Sequence, residues 1–405
     1  MKNIAFTICA KNYLAQALTL KNSFKSHNPN IDFLIFLSDL KDAEGLPEVI
    51  ELGEDWISNW KQMAFKYNVI EFSTSIKPFC FNKLFSDGYE NVIYLDPDIY
   101  VTSSLKEIFE YLSNKSIILS PHYCEIETNY SGAVTEEELL FVGIYNLGFV
   151  AIKNDNIGKK IIEWWTNRLS TKCYADKFDA LHVDQKWMDF IPAFFPDQTY
   201  ITHHMGINPA IWNLHERELF ISKDGYKIKN KVTNETFPLL FFHFSGFDPF
   251  NPKLVNRRHP KYNTENFPSF IPLFQEYIEN EYKNGYEYYS KLTYSFNSYK
   301  DGERILPFHR RLFRILEKQY NKDNPFDQNG SFKKTLKKNK LLAGIKTADL
   351  SVFSDKERQK KSKLEKCLIF LMKILKQLVG IRYYAAFLEH IQTNSRIEKQ
   401  TFLLK

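Results

Sequence analysis

The sequence predicts an α/β fold with a mixed, mainly parallel sheet flanked by helices, followed by a helical C-terminal region. Residues 4–37 have the pattern of a strand, a helix and a strand, which favours a parallel sheet with right-handed crossovers. Residues 92–95 are a short apolar run of β-branched and aromatic residues, which predicts a strand buried on both faces. After about residue 255 the pattern changes to aromatic-rich helices, at 271–289 and 307–320. These observations together indicate the fold class.

Each element has its own local pattern. The runs at 4–9 and 32–37 are typical of strands, and between them Leu14, Leu18 and Phe24 recur at helical spacing, which predicts a helix over 13–26. The turn residues from Ser245 to Pro249 close a further apolar run. The remaining predicted elements are strands at 116–120, 145–152 and 237–244, a helix at 157–169 and a helix that begins at 184–190.

Length and composition exclude several classes of protein. A chain of 405 residues can bury a large core, and its aromatic fraction of 16% is high for a globular protein. The five cysteines are scattered and never form a Cys-x-x-Cys pair, so neither disulfides nor a structural zinc site is indicated. No segment approaches the roughly 20 uninterrupted apolar residues that span a bilayer. We therefore expect a cytoplasmic protein.

The positive charge of the chain is concentrated at its C-terminal end. From Ser331 onward there are 18 Lys and Arg against 6 Asp and Glu, although the whole chain carries only +6. Residues 364–379 predict a basic amphipathic helix. This helix either docks on the body of the protein or contacts an anionic membrane on its inner face; no motif supports nucleic acid as a partner.

These shifts in pattern divide the chain into three predicted regions. They are an α/β domain at 1–255, a helical extension at 256–330 and a basic amphipathic tail at 331–405.

The most informative string is Asp96-Pro97-Asp98, directly after the strand at 92–95. Ligands bind at the carboxyl ends of strands in open α/β sheets. Two carboxylates so close together repel each other unless a cation lies between them, and a hard divalent cation prefers oxygen ligands. The string therefore predicts a metal that binds a diphosphate.

Four further strings accompany it, each near a predicted strand end or helix start: Cys9-Ala10-Lys11-Asn12-Tyr13, Asn146-Leu147-Gly148, Asp184-Gln185 and His243-Phe244-Ser245-Gly246. Together with Asp96-Pro97-Asp98, this set resembles the GT-A (Rossmann-like) sugar-nucleotide transferases, in particular glycosyltransferase family 8, whose members are retaining enzymes that use UDP-sugars. The resemblance covers roughly residues 1–255 and preserves the family's order of motifs.

The resemblance implies a role for each string. Ala10, Lys11, Asn12 and Tyr13 match the nucleotide-binding string, although Lys11 stands where the family often has an acidic residue. The remaining predicted contacts to the nucleotide-sugar are Lys83, Asn146, Gly148, Ser245 and Gly246.

The resemblance also implies a metal site and a mechanism. Asp96, Asp98 and His243 match the family's metal ligands, and a mixed carboxylate and imidazole set suits Mn²⁺ slightly better than Mg²⁺. Asp184 and Gln185 match the pair near the reacting carbon of the sugar, although Asp184 could instead cap a helix. In the retaining mechanism a diphosphate oxygen accepts the proton of the acceptor hydroxyl; an inverting enzyme would need a carboxylate base, and the sequence leaves that alternative open.

The implied activity is transfer of a hexose or N-acetylhexosamine from a UDP-sugar to a glycan or lipid-linked acceptor in surface polysaccharide synthesis. One alternative is a phosphohydrolase of the haloacid dehalogenase type, but those enzymes favour Thr where this chain has Tyr100. Another is a non-catalytic, membrane-associated scaffold with a transferase fold.

Overall fold

The computed structural model describes residues 2–320, 323–342, 344 and 354–404, and only the backbone of residues 354–363 and 393. The chain forms two compact units. The first contains Met1–Ser58 and Val69–Tyr294, and the second contains Asn59–Asn68 and Ser295–Lys405. The domain boundaries predicted from the sequence stay a prediction.

The strands of the described residues are, in chain order, β1 (Asn3–Cys9), β2 (Asp32–Leu37), β3 (Ile50–Glu51), β4 (Asn91–Leu95), β5 (Ile99–Val101), β6 (Ile117–Pro121), β7 (Tyr145–Lys153), β8 (Ala175–Asp176), β9 (Leu181–His182), β10 (Thr199–Ile201), β11 (Arg217–Ser222), β12 (Gly225–Asn230), β13 (Thr236–Pro238) and β14 (Phe241–His243).

The α-helices of the described residues are α1 (Leu14–His27), α2 (Trp60–Lys66), α3 (Val69–Ser75), α4 (Lys77–Ser86), α5 (Lys106–Tyr111), α6 (Glu136–Val142), α7 (Asn156–Lys172), α8 (Ile191–Phe194), α9 (Ile271–Lys283), α10 (Tyr286–Tyr289), α11 (Pro307–Tyr320), α12 (Ser331–Lys338) and α13 (Ser354–Asn394).

Seven strands of the first unit form its central sheet, in the order β10-β6-β7-β4-β1-β2-β3. The pairs β1–β2, β1–β4, β2–β3 and β6–β10 are parallel, whereas β7 runs antiparallel to both β4 and β6. The sheet is therefore mixed and mainly parallel, which confirms the predicted fold class.

Helices pack on both faces of this sheet because alternate residues of a strand point to opposite sides. On one face Ala5 of β1 belongs to a buried cluster with Leu14 and Leu20 of α1. On the other face the ring of Phe6 packs against that of Phe81 of α4, with centroids 5.0 Å apart. All five residues of β4 are buried between these layers, as expected for its continuous apolar sequence.

The single strand predicted at 237–244 is wrong, because the chain forms two strands there in different sheets. β13 pairs with β12 of a three-stranded sheet, and β14 pairs antiparallel with β5. Pro238 ends β13, since proline has no N–H to donate to a continuing ladder. The break directs Phe241–His243 to the end of β4 instead.

Two predicted helices also differ in detail. The helix predicted at 271–289 is divided into α9 and α10 at Gly285, whose φ of 86° lies in the left-handed region that glycine tolerates. Residues Gln185–Phe190 form a 3₁₀ helix that leads into α8. The helix predicted at 307–320 is confirmed as α11.

The second unit has its own aromatic core. Phe65 of α2 packs against Phe313 of α11 and Phe332 of α12, at ring distances of 4.9 and 5.7 Å. The buried Arg310 of α11 donates to the carbonyl of Phe65, which ties α2 to the C-terminal helices.

α13 extends over 41 residues and is kinked at Gly380, whose φ is 74°. From residue 364 to residue 392 nearly all of its side chains are exposed, apolar ones included. Among the described residues no helix is both long enough and apolar enough to span a membrane.

Candidate active site

The two carboxylates after β4 lie on a tight turn between β4 and β5. The N–H of Ile99 donates to the carbonyl of Asp96 at 3.1 Å, with Pro97 at the second position of the turn, where its fixed φ is favourable. The N–H of Asp96 donates to the carbonyl of Gly148 on β7 at 2.7 Å. The turn is thus fixed to the sheet, while the side chains of Asp96 and Asp98 remain 29% and 20% exposed.

β14 brings His243 to this turn, as predicted from the sequence. In the β14–β5 ladder His243 lies opposite Ile99, next to Asp98. Its Nε2 is 3.2 Å from Oδ1 of Asp98 and 3.7 Å from Oδ2 of Asp96. The potential ligand atoms of the three residues all lie within 4.8 Å of one another.

This group fits a divalent cation. Burial acts to raise the pKa of Asp98, but His243, a backbone hydrogen bond and Arg258 together hold that pKa below its ordinary value. Asp98 is therefore ionised at neutral pH, as a metal ligand must be. A set of two carboxylates and one imidazole suits Mn²⁺ or a similar ion.

Gly148 makes room for His243. A Cβ atom at this position would lie 2.3 Å from Cε1 and 2.6 Å from Nδ1 of the His243 ring. Only a residue without a side chain permits β7 and the imidazole to approach this closely. Gly148, predicted as a contact to the nucleotide-sugar, thus also provides the space that the histidine occupies.

Lys77, at the start of α4, is a charged residue of the site that sequence reasoning missed. Its side chain is only 1% exposed, and Nζ lies 2.7 Å from Oδ2 of Asp184 and 3.7 Å from Oδ1 of Asp96. It also donates to the carbonyl of Leu147 at 2.8 Å. The sequence signal for Lys77 is that it is the one charged residue in the apolar run at 76–81.

Lys83, the lysine predicted to contact the nucleotide-sugar, lies near the other end of α4. It pairs with Asp87 four residues away, and its side chain is 34% exposed. The structure therefore brings Lys77 to the carboxylates and joins Lys83 to a surface residue. The predicted role of Lys83 in nucleotide-sugar binding stays a prediction.

Asp184 and Gln185 lie together beside Lys77, at the start of the 3₁₀ helix that precedes α8. Burial raises the pKa of Asp184, Lys77 opposes that rise, and Asp96 adds to it. The Asp184 side chain forms no helix cap. Oε1 of Gln185 accepts from the N–H of Leu147 at 3.0 Å, which fixes the side chain at the start of β7.

Asn146 lies at the same end of β7. Its Oδ1 accepts from the N–H of Gly148 at 3.1 Å and from Nδ2 of Asn208 at 3.0 Å. The predicted sugar contact is therefore held in one orientation by a buried network.

The string predicted to bind the nucleotide follows β1, the parallel neighbour of β4, so both strands end at the same edge of the sheet. Ala10 and Lys11 are buried, and Lys11 pairs with Asp39 and Asp42. Oδ1 of Asn12 is buried without a hydrogen-bond partner among the described residues, which suits an atom that binds a ligand.

Tyr13 lies near Asp98 and two further cations. Burial and the Asp98 charge raise the pKa of Tyr13, and Arg257 and Arg258 act to lower it. Arg258 also lowers the pKa of Asp98. Sequence reasoning missed both arginines, because they lie 14 and 15 positions beyond His243 and only the fold returns them to the turn.

The loop after β14 positions these arginines. Nδ2 of Asn256 donates to the carbonyl of Ser245 at 2.5 Å, and the N–H of Arg257 donates to the carbonyl of Gly246 at 3.0 Å. Gly246 has a φ of 70°, which favours glycine. Ser245 and Gly246 thus supply backbone contacts that hold the cationic loop.

Comparison with known sequences identifies two relatives of this chain. No family model matches the chain. It is 28% identical over 208 residues to the uncharacterized protein YfnF of Bacillus subtilis strain 168, a match that covers 51% of this chain and 66% of YfnF. It is 22% identical over 285 residues to the uncharacterized protein YfnD of the same organism, covering 68% of this chain and 87% of YfnD.

Several solved structures are similar to this chain, and those named here are glycosyltransferases. The galactosyltransferase LgtC, in complex with donor and acceptor sugar analogs, has a TM-score of 0.38 at 15% identity, covering 68% of this chain and 95% of that one. GlyE of Streptococcus pneumoniae TIGR4 has a TM-score of 0.36 at 16% identity, covering 78% and 73%. Mouse xyloside xylosyltransferase 1 has a TM-score of 0.32 at 13% identity, covering 49% and 85%.

Proposed function

We propose that this chain is a metal-dependent glycosyltransferase that moves a hexose or N-acetylhexosamine from a UDP-sugar to a glycan or lipid-linked acceptor. The observation that carries the proposal is the group of Asp96, Asp98 and His243 at the carboxyl edge of the sheet. The residues that we propose to contact the base, the metal and the sugar follow β1, follow β4 and lie at the start of β7, and these strand ends share one edge of the sheet. This is the edge at which open α/β sheets bind nucleotides.

In this proposal Asp96, Asp98 and His243 hold Mn²⁺ or Mg²⁺. The ion, when bound, supplies Lewis-acid charge that neutralises a departing nucleoside diphosphate. Arg257 and Arg258 add positive charge on the side of Tyr13, which favours the same anion. The unpartnered Oδ1 of Asn12 offers an acceptor to the nucleoside.

The proposed chemistry uses positioning and charge. Asp184 is buried with Lys77 as its partner, and Gln185 is fixed by the backbone of β7. We assign both residues to the reacting carbon of the sugar, where a carboxylate and an amide oxygen stabilise developing positive charge. Transfer with retention then needs no side-chain base, since a diphosphate oxygen accepts the acceptor's proton.

The third member of the metal group favours the transferase over the phosphohydrolase alternative. Haloacid dehalogenase-type enzymes complete their Asp-x-Asp site with a downstream acidic pair. In the described part of the chain, the one group of three or more potential ligands has His243 in that place. The retained ligand set also argues against a non-catalytic scaffold.

The proposal is tested by screening sugar nucleotides with and without Mn²⁺. We expect a thermal shift and metal-dependent UDP release with at least one UDP-hexose or UDP-N-acetylhexosamine, lost in Asp98→Ala. Asp224→Ala is the matched control, because Asp224 lies between β11 and β12, is 63% exposed and pairs with Lys227. Absence of metal-dependent binding, hydrolysis and transfer across the whole panel would refute the proposal.

We further propose that α13 contacts an anionic membrane surface, where a lipid-linked acceptor would be found. Its exposed apolar residues include Phe370, Leu378 and Ile381, which are 62%, 78% and 67% exposed. Lys373 and Lys376 are exposed on the same helix. Apolar area combined with basic residues is the chemistry that binds anionic lipid.

Vesicle sedimentation tests this contact. We expect the full chain to sediment with phosphatidylglycerol vesicles and not with phosphatidylcholine vesicles, and Phe370→Gln together with Leu371→Gln to weaken binding. The control is Ile126→Gln, which changes a 97% exposed apolar residue of the first unit. Unchanged binding in the double variant, or in a chain cut after residue 353, would contradict the proposal.

Truncation after residue 353 is chosen over truncation at Ser331, where α12 begins. Phe332 and Leu336 of α12 are buried in the second unit, so removing them would disturb its core. A cut after residue 353 leaves α12 in place and removes α13 together with residues Ile397–Leu403, whose Glu398 pairs with Arg314 of α11 at 3.1 Å. The double variant keeps that contact and is therefore the more specific test. The predicted cytoplasmic location stays a prediction.

A further inference from the structure

Asn208 is a fully buried residue of the loop between β10 and β11, and it lies between the metal group and the predicted sugar contact. Its Oδ1 is 3.1 Å from Nδ1 of His243, and its Nδ2 is 3.0 Å from Oδ1 of Asn146. Its φ of 59° is in the left-handed region, where asparagine is among the few side chains tolerated. One side chain therefore touches two groups of different predicted function.

The hydrogen bonds that connect Gly148, Asn146, Asn208 and His243 all have a defined direction, because the series begins at a backbone N–H. The N–H of Gly148 can only donate, so the Asn146 atom that faces it at 3.1 Å is the oxygen. Oδ1 of Asn146 can only accept, so the Asn208 atom that faces it is the amide nitrogen. The other Asn208 atom is then the carbonyl oxygen, which also can only accept.

The consequence reaches the imidazole. An oxygen at 3.1 Å from Nδ1 of His243 requires a proton on Nδ1. Nε2 faces Asp98 at 3.2 Å, so without a metal it carries a proton shared with that carboxylate. A cation bound by Asp96 and Asp98 would displace this proton and leave the lone pair of Nε2 as its ligand.

We infer that Asn208 is a positioning residue that keeps a proton on Nδ1 of His243, so that Nε2 is the nitrogen that binds the metal, and that it fixes the Asn146 amide through its other end. The inference rests on the proposed metal site. Outer-shell partners of this kind orient metal-binding histidines. Here one amide couples the orientation of a metal ligand to that of a sugar contact.

The segment that contains Asn208 also holds His243 in two other ways. The N–H of His243 donates to the carbonyl of Pro209 at 2.9 Å. The ring of Trp212 meets the imidazole edge to face, with centroids 5.2 Å apart. The backbone hydrogen bond and the contact with Trp212 therefore fix the position of the imidazole ring, and Asn208 determines which nitrogen carries the proton.

Two substitutions separate the two contacts of Asn208. Asn208→Gly removes both while tolerating the positive φ. Asn208→Asp keeps an acceptor for Nδ1–H of His243 but loses the donor to Asn146. Asn154→Ala is the matched control, because Asn154 donates to the carbonyls of Phe85 and Tyr89 at the opposite end of β4.

The first measurement is the ¹⁵N NMR signature of His243 in the metal-free protein at pH 8, and the second is Mn²⁺ affinity by calorimetry without nucleotide. We expect Nδ1–H in the wild type and in Asn208→Asp. We expect Asn208→Gly to lose this preference and to bind Mn²⁺ about 10- to 100-fold more weakly. Asn208→Asp should retain Mn²⁺ binding but bind the UDP-sugar more weakly, and Asn154→Ala should match the wild type.

The outcomes distinguish this inference from the proposed function. A His243 ring without a proton on Nδ1 in the wild type, or wild-type Mn²⁺ affinity in Asn208→Gly, overturns the inference even if transfer is metal-dependent. If Asn208→Gly fails to fold, loss of the Nδ1 proton or of Mn²⁺ binding in Asn208→Asp overturns it. A wild-type protein with Nδ1–H that binds neither Mn²⁺ nor any sugar nucleotide contradicts the proposed function instead.

Discussion

Lys77 brings one positive charge into a space that Asp96, Asp98 and Asp184 would otherwise make strongly negative. Its ammonium is buried and lies 2.7 Å from Asp184. A buried charge is tolerated when it has a partner of opposite charge, and removing one partner leaves the other uncompensated. Lys77 therefore stabilises the site in the absence of any ligand.

Substitution of Lys77 by Met should destabilise the first unit. We expect a loss of about 3–5 kcal/mol in the free energy of unfolding, because the buried Asp184 is left without its ion pair. Tryptophan fluorescence during urea unfolding measures this loss. The control is Lys83→Met, whose pair with Asp87 is partly exposed and is worth about 1 kcal/mol or less. Equal losses in the two variants would contradict the assigned role of Lys77.

Some residues of the site were predictable from the sequence and others were not. Asp96, Asp98 and His243 each lie at a strand end, and a strand end is visible in the sequence as a change from apolar to polar residues. Lys77, Asn208 and Arg258 carry no such mark. Tertiary structure brings them to the site. Lys77 comes from the start of α4, Asn208 from the loop between β10 and β11, and Arg258 from the loop after β14.

At the scale of elements, apolar runs predicted where strands lie but not which strands pair. The run at 237–244 is apolar up to His243, so periodicity cannot show that Pro238 ends one strand and that another begins at Phe241. The distinction has a chemical result. Because β14 pairs with β5 and not with β12, His243 lies beside Asp98.

α12 is an element whose basic sequence conceals a structural role. Phe332 is 1% exposed and packs on Phe65, Phe313 and Tyr320, so we expect Phe332→Ala to cost about 3–5 kcal/mol. Hydrogen exchange of the α11 amides should become faster. The matched control is Phe402→Ala, a 71% exposed residue of the second unit, which should leave exchange unchanged. Protected α11 amides in Phe332→Ala would show that α12 does not stabilise this core.

At the scale of the whole molecule, the two proposed roles belong to different compact units. The proposed site lies entirely in the first unit, and the exposed helix α13 belongs to the second. The excess of basic residues after Ser331 was visible in the sequence, whereas the return of residues 59–68 to the second unit was not. That return depends on the packing of α2 against α11 and α12, which no local pattern records.

The stability of the first unit should fall as pH rises, because of Glu281 on α9. Burial raises the pKa of this carboxyl to about 8. Between its unfolded value near 4.5 and about 8, the folded protein keeps the proton while the unfolded chain releases it, so the stabilising contribution is present at low pH and is lost as pH rises. The slope is at most about 1.4 kcal/mol per pH unit.

Urea unfolding between pH 5 and pH 8.5 measures this effect. We expect Glu281→Gln to gain stability relative to the wild type as pH rises. Glu279→Gln, at a 70% exposed position of the same helix, should follow the wild-type curve. Parallel curves for Glu281→Gln and the wild type would rule out a buried proton at this position.

The close approach of Gly148 to the His243 ring also suggests a useful variant, Gly148→Ala. An added methyl group there would occupy the place of the His243 ring without altering a carboxylate, a surface charge or residues 10–13. Under the proposed function, Gly148→Ala is thus the minimal design for an inactive reference protein that should still recognise the acceptor. Such a protein could serve as bait for isolating the acceptor from cell extracts, because the captured molecule would not be modified and released.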